Sequence, residues 1–296
     1  MTVYHFAAIL IVSIWGTTFV ATKVLLQLGF SPAGIFVIRF GLAYLGVLAA
    51  CHKRLFCDSL KDELLMVAAG LAGGSLYFLT ENTALKLAYA GNVALIVCLN
   101  PLLTALFALF VGKERKTSPR LWLGSCVAFA GAAVVAYSST RGGTASHPLS
   151  GNLLAFCAAM LWAVYQLVVR PMAERYGVLL LTRKVFAYGL LTILPFLAVE
   201  RPFELSLLGR PVVWGNLLFL GVVASLICYA AWNAVVEKLG SVVSATYIYL
   251  IPVVTCVVSF FVLNERLSAS MMLGGAGVLC GLYLVMMPAN KAKPNK

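Results

Sequence analysis

The chain has 296 residues, of which 62% are hydrophobic and 11% charged, and its formal net charge is +12. Soluble domains carry about 25% charged residues, so this composition excludes a soluble globular protein. The recurring apolar runs are each long enough to cross a hydrocarbon core of about 30 Å, which takes roughly 20 helical residues. The sequence therefore predicts an all-α membrane protein that crosses the bilayer several times.

The positive charge does not indicate nucleic-acid binding, because the basic residues lie in short loops beside the apolar runs, where they set topology and meet anionic lipid. Most of the eight cysteines fall inside predicted spans, and no Cys-x-x-Cys occurs. The histidines His5, His52 and His147 lie at span ends or in loops. We expect no metal, no cofactor, no nucleic acid and no obligate protein partner. The expected partners are a small-molecule substrate and the lipid bilayer.

Ten transmembrane helices are predicted, and the first is expected to be retained because it lacks a basic n-region and a small-residue cleavage site. In chain order they lie at about 3–26, 33–51, 64–86, 88–112, 119–138, 149–169, 178–199, 212–237, 241–263 and 268–288. A turn-rich linker, 139–148, separates a first five-helix repeat, 1–138, from a second, 149–288. Residues 289–296 form a polar tail.

The distribution of Lys and Arg predicts the orientation. If both termini are cytoplasmic, most of the 22 Lys and Arg residues fall on the cytoplasmic side. The positive-inside rule therefore favours this arrangement. The predicted location is the cell membrane, as a multi-pass protein of a bacterial inner membrane.

The two halves are related by an internal duplication. Residues 70–115 recur at 221–266 with an unbroken offset of 151 residues, which pairs Pro101 with Pro252. Because five spans per half is an odd number, the second repeat enters the membrane inverted, an arrangement typical of transporters with a site near the midplane. Each proline lies near the middle of its span and frees the carbonyl four residues back, so both are expected to be helix kinks.

Aromatic and polar side chains lie deep in the predicted spans, too far from the ends for an interfacial belt. Helical spacing places several on shared faces, where they could either pack between helices or line a cavity. We expect a substrate cavity lined by Trp15, Thr18, Tyr77, Asn82, Asn100, Trp162, Tyr165, Gln166, Tyr229, Asn233 and Tyr247. Glu114 and Glu265 are expected to cap or brace helix ends. The small-residue runs 70–74 and 274–277 are expected to bring helices close together.

Arg39 and Glu81 are the two charges most clearly inside predicted spans. A bare charge in the bilayer interior costs about 2.5–3.5 kcal/mol even on the mildest scales, so each needs a partner or water. At 1.5 Å per residue both lie roughly 8–9 Å below the outer edge, and an ion pair between them is predicted. The pair could be a structural brace, or Glu81 could take up a proton and couple transport to a proton gradient.

Three motifs, taken together and in order, resemble the EamA-type family of the drug/metabolite transporter superfamily. They are Trp15-Gly16-Thr17-Thr18-Phe19 in the first span, Arg39-Phe40 in the second, and Pro101 followed by Gly112-Lys113-Glu114-Arg115 at the end of the fourth. The resemblance covers nearly the whole chain. It implies a ten-helix transporter that exports or exchanges small metabolites, such as amino acids or nucleosides, by alternating access between the two repeats.

The sequence departs from this pattern in its second half, with Trp162-Ala163 in place of Trp-Gly and no glycine before Glu265. The two halves are therefore not expected to work identically. One alternative function is a lipid or lipid-linked headgroup flippase of the same fold, and another is a passive lipid-handling or scaffold protein. An intramembrane enzyme is not expected, because the spans hold no deep histidine, no Gly-x-Ser-x-Gly and no paired Asp motif.

Overall fold

The structure is a computed structural model that describes residues 2–51, 55–110, 119–138, 146–239, 247–265 and 268–286. These residues form helices, and no strand occurs among them. The helices are α1 (Thr2–Gln27), α2 (Pro32–Ala50), α3 (Leu60–Leu87), α4 (Ala90–Val97), α5 (Asn100–Phe110), α6 (Pro119–Ser138), α7 (Pro148–Tyr176), α8 (Val178–Val199), α9 (Pro211–Leu218, continued by Phe219–Ile227 and Cys228–Leu239), α10 (Leu250–Leu263) and α11 (Ala269–Met286).

Most of the described helices have the length and composition of membrane spans. Seven of the described helical stretches are long and apolar enough to cross a bilayer: α1, α2, α3, the α4–α5 pair, α7, α8 and the first part of α9. Helices α6, α10 and α11 contain shorter apolar stretches of 10–17 residues. Large apolar side chains on the outside, such as Leu191 and Phe261, are exposed as expected for a surface that faces lipid. The chain is therefore a multi-pass α-helical membrane protein.

Local sequence signals explain where the helices begin. Ser31 caps α2 by accepting a hydrogen bond from the Gly34 backbone N–H at 3.0 Å, and Pro32 follows at the first helical position. Helix α7 continues through Pro171 to Tyr176, beyond the predicted end of its span at residue 169. Its last turn is held by Asp62, which accepts a hydrogen bond from the Tyr176 hydroxyl.

Glycine allows α6 and α11 to pack with their backbones in contact. A Cβ atom added at Gly131 would lie 2.5 Å from the Val278 backbone nitrogen and 2.6 Å from the Gly274 carbonyl oxygen. Real Cβ atoms do not approach backbone this closely, so only glycine fits. This close packing involves the predicted small-residue run at 274–277 and is the mode by which small residues join membrane helices.

Four irregular segments interrupt the helices near the middle of the bundle. The stretches Leu71–Ser75 in α3 and Phe219–Ile227 in α9 are π-helical, a form that is often found at functional sites. A turn separates α4 from α5 just before Pro101, and another turn precedes α10, in which Pro252 is the third residue. The described structure therefore loses regular helical hydrogen bonding at several points around one central region.

Candidate functional site

A cavity of about 70 Å³ lies at this central region. Residues of the first half (α1, α2, α3, α4 and α5) and of the second half (α7, α9 and α10) form its walls. Of the residues expected from the sequence, those lining it are Trp15, Thr18, Tyr77, Asn100, Trp162, Tyr229, Arg39 and Glu81. The cavity therefore combines aromatic walls with two oppositely charged side chains.

The Trp-Gly-x-x-Phe motif of α1 forms one wall. The indole Nε1 of Trp15 donates a hydrogen bond to the Ala224 carbonyl at 3.0 Å, in the π-helical segment of α9. A Cβ atom at Gly16 would lie 2.7 Å from Val254 Cβ, so glycine permits the close approach of α10. Thr255 secures this contact by donating to the Gly16 carbonyl at 2.8 Å. The motif thus joins α1 to both α9 and α10 while it turns Trp15 toward the cavity.

Aromatic rings from both halves of the chain meet across the cavity. The ring centroids of Trp162 and Tyr77 are 4.9 Å apart, and those of Trp15 and Tyr229 are 5.6 Å apart. Such tilted ring pairs contribute about 0.5–1.5 kcal/mol of stability in addition to the hydrophobic free energy of burying the rings. The Nε1 of Trp162 is buried and has no hydrogen-bond partner among the described residues. The walls therefore present an unused donor beside the aromatic surface.

Arg39 is held by α9 and by an aromatic ring. The side chain is only 4% exposed, and its Nε donates to Ser225 Oγ at 2.7 Å. Its Cζ also lies 4.8 Å from the centroid of Phe78, within the range of a cation–π interaction. Ser225 belongs to the π-helical segment of α9, so this irregular stretch provides one anchor for Arg39 and another for Trp15.

Glu81 is held by its own helix. The residue is 6% exposed, and its Oε1 accepts a hydrogen bond from the hydroxyl of Tyr77, one turn earlier, at 2.7 Å. No salt bridge joins Glu81 to Arg39 among the side chains that the structure describes, so the face-to-face contact expected from their depths is not formed. Similar depth does not specify which way a side chain points around its helix, and both charges instead line the same cavity.

Two other expected residues pack away from the cavity. Asn82 Nδ2 donates to the Pro32 carbonyl at 3.1 Å, so this buried amide braces the start of α2. The ring of Tyr165 fills a groove at Gly73, where an added Cβ would lie 2.2 Å from the ring. Each side chain takes the interhelical packing role that the sequence left open as an alternative.

The remaining expected residues lie elsewhere or outside the description. Gln166 is half-buried and does not line the cavity. The hydroxyl of Tyr247 pairs with Nδ1 of His5 at 2.5 Å, which joins the segment just before α10 to the beginning of α1. The side chain of Asn233 and all of Glu114 lie outside the described residues.

Cys98 and Ile248 also line the cavity, although neither was expected to do so from the sequence. The Cys98 thiol donates to the Ile248 carbonyl at 3.4 Å, which joins the turn before α5 to the turn before α10. Pro252, four residues later, has no N–H to offer this carbonyl, which accepts the Ile251 backbone N–H at 3.0 Å instead. The sequence does not indicate that Cys98 donates this hydrogen bond, because a cysteine inside a span usually acts as a small apolar side chain.

Lys23 and Glu265 join the two halves at one end of the bundle. Lys23 Nζ lies 2.7 Å from Glu265 Oε1 and donates to the Ala88 carbonyl at 2.6 Å. The Glu265 carboxylate also accepts the Ala90 backbone N–H at 3.0 Å, which caps the first turn of α4. Glu265 therefore braces helix ends, and it does so across the halves.

A second group of charges, the Glu63 network, joins the halves at the opposite end. It consists of Asp62 and Glu63 at the start of α3 together with their partners in α7, α8 and the preceding loop. Glu63 forms a salt bridge with Lys184 and accepts hydrogen bonds from the Tyr188 hydroxyl and the Cys57 backbone. Asp62 pairs with Arg175 at 2.7 Å. Burial, together with the nearby Glu63 carboxylate, raises the pKa of the Cys57 thiol to about 11.

Comparison with known proteins gives consistent matches over most of the chain. The profile of the EamA-like transporter family matches residues 2–137 and 149–287. An uncharacterized transporter of Archaeoglobus fulgidus is 28% identical over 95% of this chain and 96% of its own. A probable terminal-alkyne amino-acid exporter of Streptantibioticus cattleyicolor is 28% identical over 94% of this chain and 92% of its own. One crystal structure, 22% identical, shares the fold with a TM-score of 0.60 over 96% of this chain and 95% of that chain.

Proposed function

Because this chain belongs to the EamA-like transporter family, we propose that it exports or exchanges small metabolites by alternating access between two inverted five-helix repeats. The first repeat is residues 1–138 and the second is residues 149–288, joined by the linker 139–148. The observation that carries this proposal is the central cavity, which both halves line and which contains two buried charges. Buried charges in a membrane domain are expensive and therefore point to a functional site.

The irregular helices support the same mechanism. The turns before α5 and α10 both border the cavity, through Cys98 and Ile248. Broken helices at the interface of two repeats are typical of substrate sites in transporters. The π-helical segments Leu71–Ser75 and Phe219–Ile227 also include positions that the offset of 151 residues pairs, such as Gly74 and Ser225.

The ion pairs at the two ends provide contacts that alternating access would break in turn. The Lys23–Glu265 salt bridge connects the halves at one end, and the Glu63 network connects them at the other. For the cavity to open at either end, the bridges there must separate, and substrate binding can favour this only by interacting differently with the two states. With both termini cytoplasmic, the Lys23 end is the outer end.

The named relative guides the choice of substrate. The similar Streptantibioticus cattleyicolor protein is named as a probable amino-acid exporter, so amino acids are the first class to test, with nucleosides as the second. A lipid flippase is tested in the same preparation by a headgroup-accessibility assay. The purified protein is first screened by thermal shift against amino acids, nucleosides, nucleotide sugars and lipid headgroups.

Transport is then measured in proteoliposomes with any compound that raises the melting temperature. We expect Asn100→Ala and Trp162→Ala each to lower the initial rate at least about tenfold, which corresponds to about 1.4 kcal/mol of lost interaction. Leu191→Ala, which truncates an exposed side chain on the outer surface, is the matched control and should transport normally. Unchanged KM and maximal rate in both cavity variants, with normal folding, would place the site elsewhere.

A further inference from the structure

The charges of the central cavity point to a particular class of substrate. We propose that this cavity binds a zwitterion, an α-amino acid with an apolar side chain, with its carboxylate on Arg39 and its ammonium group on Glu81. The proposal rests on the proposed transport function and names the substrate class of the same site.

The two charges of the cavity favour a ligand that carries both signs of charge. Arg39 and Glu81 both line the cavity, yet they form no salt bridge with each other, so neither neutralises the other by contact. A neutral ligand such as a nucleoside would offer neither charge an ionic partner. A simple anion would leave Glu81 unmatched, and a simple cation would leave Arg39 unmatched. Only a ligand that carries both charges pairs with each of them and adds no net charge.

Arg39 and Glu81 both keep hydrogen-bonding groups that a ligand can use. A guanidinium has five N–H donors, and among the described residues Arg39 uses only the one on Nε. The remaining N–H groups can hold a carboxylate in a bidentate arrangement. Oε2 of Glu81 has no hydrogen-bond partner among those residues, because Tyr77 binds Oε1. An ammonium group has three donors and can bind this free oxygen.

The rest of the cavity favours an apolar side chain. Phe19, Val97 and Ile251 line it alongside the aromatic rings, and Arg39 and Glu81 are the only charged residues among the described lining. The unpartnered Nε1 of Trp162 provides one further donor, which can bind a second oxygen of the carboxylate. These surroundings suit an aliphatic or aromatic side chain better than one with a third charge.

The volume limits the size of the ligand. The cavity measures about 70 Å³, whereas sites for drug-sized ligands measure about 300–1,000 Å³. An amino acid therefore requires the cavity to widen when it binds. The turns at Cys98 and Ile248 form part of the wall and have lost regular helical bonding, so they are places where widening can occur. A nucleotide sugar would require a far larger rearrangement.

The test uses four ligands of similar size or defined charge with the purified full-length protein. They are L-leucine, L-leucinamide without the carboxylate, N-acetyl-L-leucine without the ammonium group, and neutral adenosine. Binding is measured by isothermal titration calorimetry and by thermal shift at pH 7. We expect L-leucine to bind at least tenfold more tightly than each of the other three.

Two single variants assign the two ends of the ligand. Arg39→Gln should weaken L-leucine at least tenfold while changing L-leucinamide less than threefold. Glu81→Gln should weaken the binding of L-leucine at least tenfold while changing the binding of N-acetyl-L-leucine less than threefold. A side chain that only supports folding would weaken all ligands alike, so the change in discrimination is the decisive readout. Arg210→Gln, which changes an exposed arginine outside the cavity, is the control.

A double variant tests the proposal even if one of the single variants folds poorly. Arg39→Gln with Glu81→Gln leaves no unmatched charge, so it should fold and no longer prefer L-leucine over its amide or N-acetyl derivative. Absence of L-leucine binding, equal binding of the three leucine compounds, or unchanged discrimination in the variants overturns the proposal. If the proteoliposomes instead transport adenosine or another compound that is not a zwitterion, the transporter stands and only this substrate class fails.

Discussion

Asn92, in the first turn of α4, is a buried amide whose hydrogen bonds are not made. The residue is 1% exposed, and neither Nδ2 nor Oδ1 has a partner among the described residues. Asn82 is equally buried but donates to the Pro32 carbonyl. A buried amide without a partner costs about 1–3 kcal/mol, whereas a made bond contributes about 0.5–1.5 kcal/mol to stability. The two asparagines should therefore respond oppositely to replacement.

We expect Asn92→Leu to raise the melting temperature in detergent and Asn82→Leu to lower it. The first change replaces an amide without partners by an apolar group of similar size, and the second breaks a bond that holds the start of α2. Differential scanning fluorimetry with an intrinsic tryptophan signal measures both. A lower melting temperature for Asn92→Leu would mean that its amide is bound by water or substrate.

The separation of Arg39 from Glu81 changes what neutralising the acid should do. Breaking a buried ion pair typically costs 3–5 kcal/mol, because one charge is left without its partner. Here Arg39 keeps Ser225, and a glutamine at position 81 can still accept from Tyr77. We therefore expect Glu81→Gln to fold with a melting temperature equal to or above that of the parent, while transport falls at least about tenfold.

The same variant separates a coupling acid from a structural one. If Glu81 takes up a proton during the cycle, substrate movement driven by an imposed pH gradient in proteoliposomes should disappear in Glu81→Gln, while exchange without a gradient continues. If Glu81 is a brace, the variant should retain the response of the parent to the gradient. A strongly destabilised Glu81→Gln protein would contradict the geometry described for this residue.

At the scale of helices, Glu63 controls the chemistry of a nearby cysteine. Cys57 donates its backbone N–H to Glu63 Oε2, and its thiol pKa lies near 11, so little thiolate exists at pH 8. Glu63→Gln removes the negative charge but leaves the burial, so the pKa should fall partway toward its ordinary value. Because the thiolate is the reactive form, a fall of one unit gives about tenfold faster alkylation at pH 8.

Peptide-resolved mass spectrometry after a timed pulse of iodoacetamide measures this rate. Cys51, at the end of α2, is the internal control, since its carbonyl is held by Arg183 and not by Glu63. A Glu63→Gln protein in which Cys57 reacts no faster than in the parent would contradict the described network. A faster rate at Cys51 as well would indicate general unfolding.

The sequence was most informative about where helices lie and least informative about which way side chains point. Apolar runs with signals such as Ser31-Pro32 place helix boundaries within a few residues. Helix α7 extends seven residues past the predicted end of its span at residue 169, where Asp62 holds the last turn through a contact between distant parts of the chain that apolar runs do not reveal. Arg39 and Glu81 share a cavity without touching because depth along a helix carries no information about rotation around it.

At the scale of the whole molecule, the distribution of Lys and Arg predicts the orientation. In a cysteine-free background, Leu55→Cys before α3 should be cytoplasmic and Ser146→Cys before α7 should be external. A membrane-impermeant maleimide applied to intact cells should therefore label position 146 at once and position 55 only after permeabilisation. The opposite pattern would reverse the topology, although the cavity and its residues would be unaffected.

The bridges at the two ends are unequal, and this inequality has an energetic consequence. Among the described residues one ion pair, Lys23–Glu265, closes the first end, whereas Lys184–Glu63 and Arg175–Asp62 close the other with help from two tyrosine hydroxyls. If the same ion pairs and hydrogen bonds closed both ends, the cavity would open with equal ease at either end. In the proposed alternating-access cycle, we therefore expect the protein to open more readily at the Lys23 end than at the Glu63 end. Such a bias would leave the direction of net flux to the gradients, but in the proposed cycle it would set which side of the membrane the binding site faces more often before substrate binds.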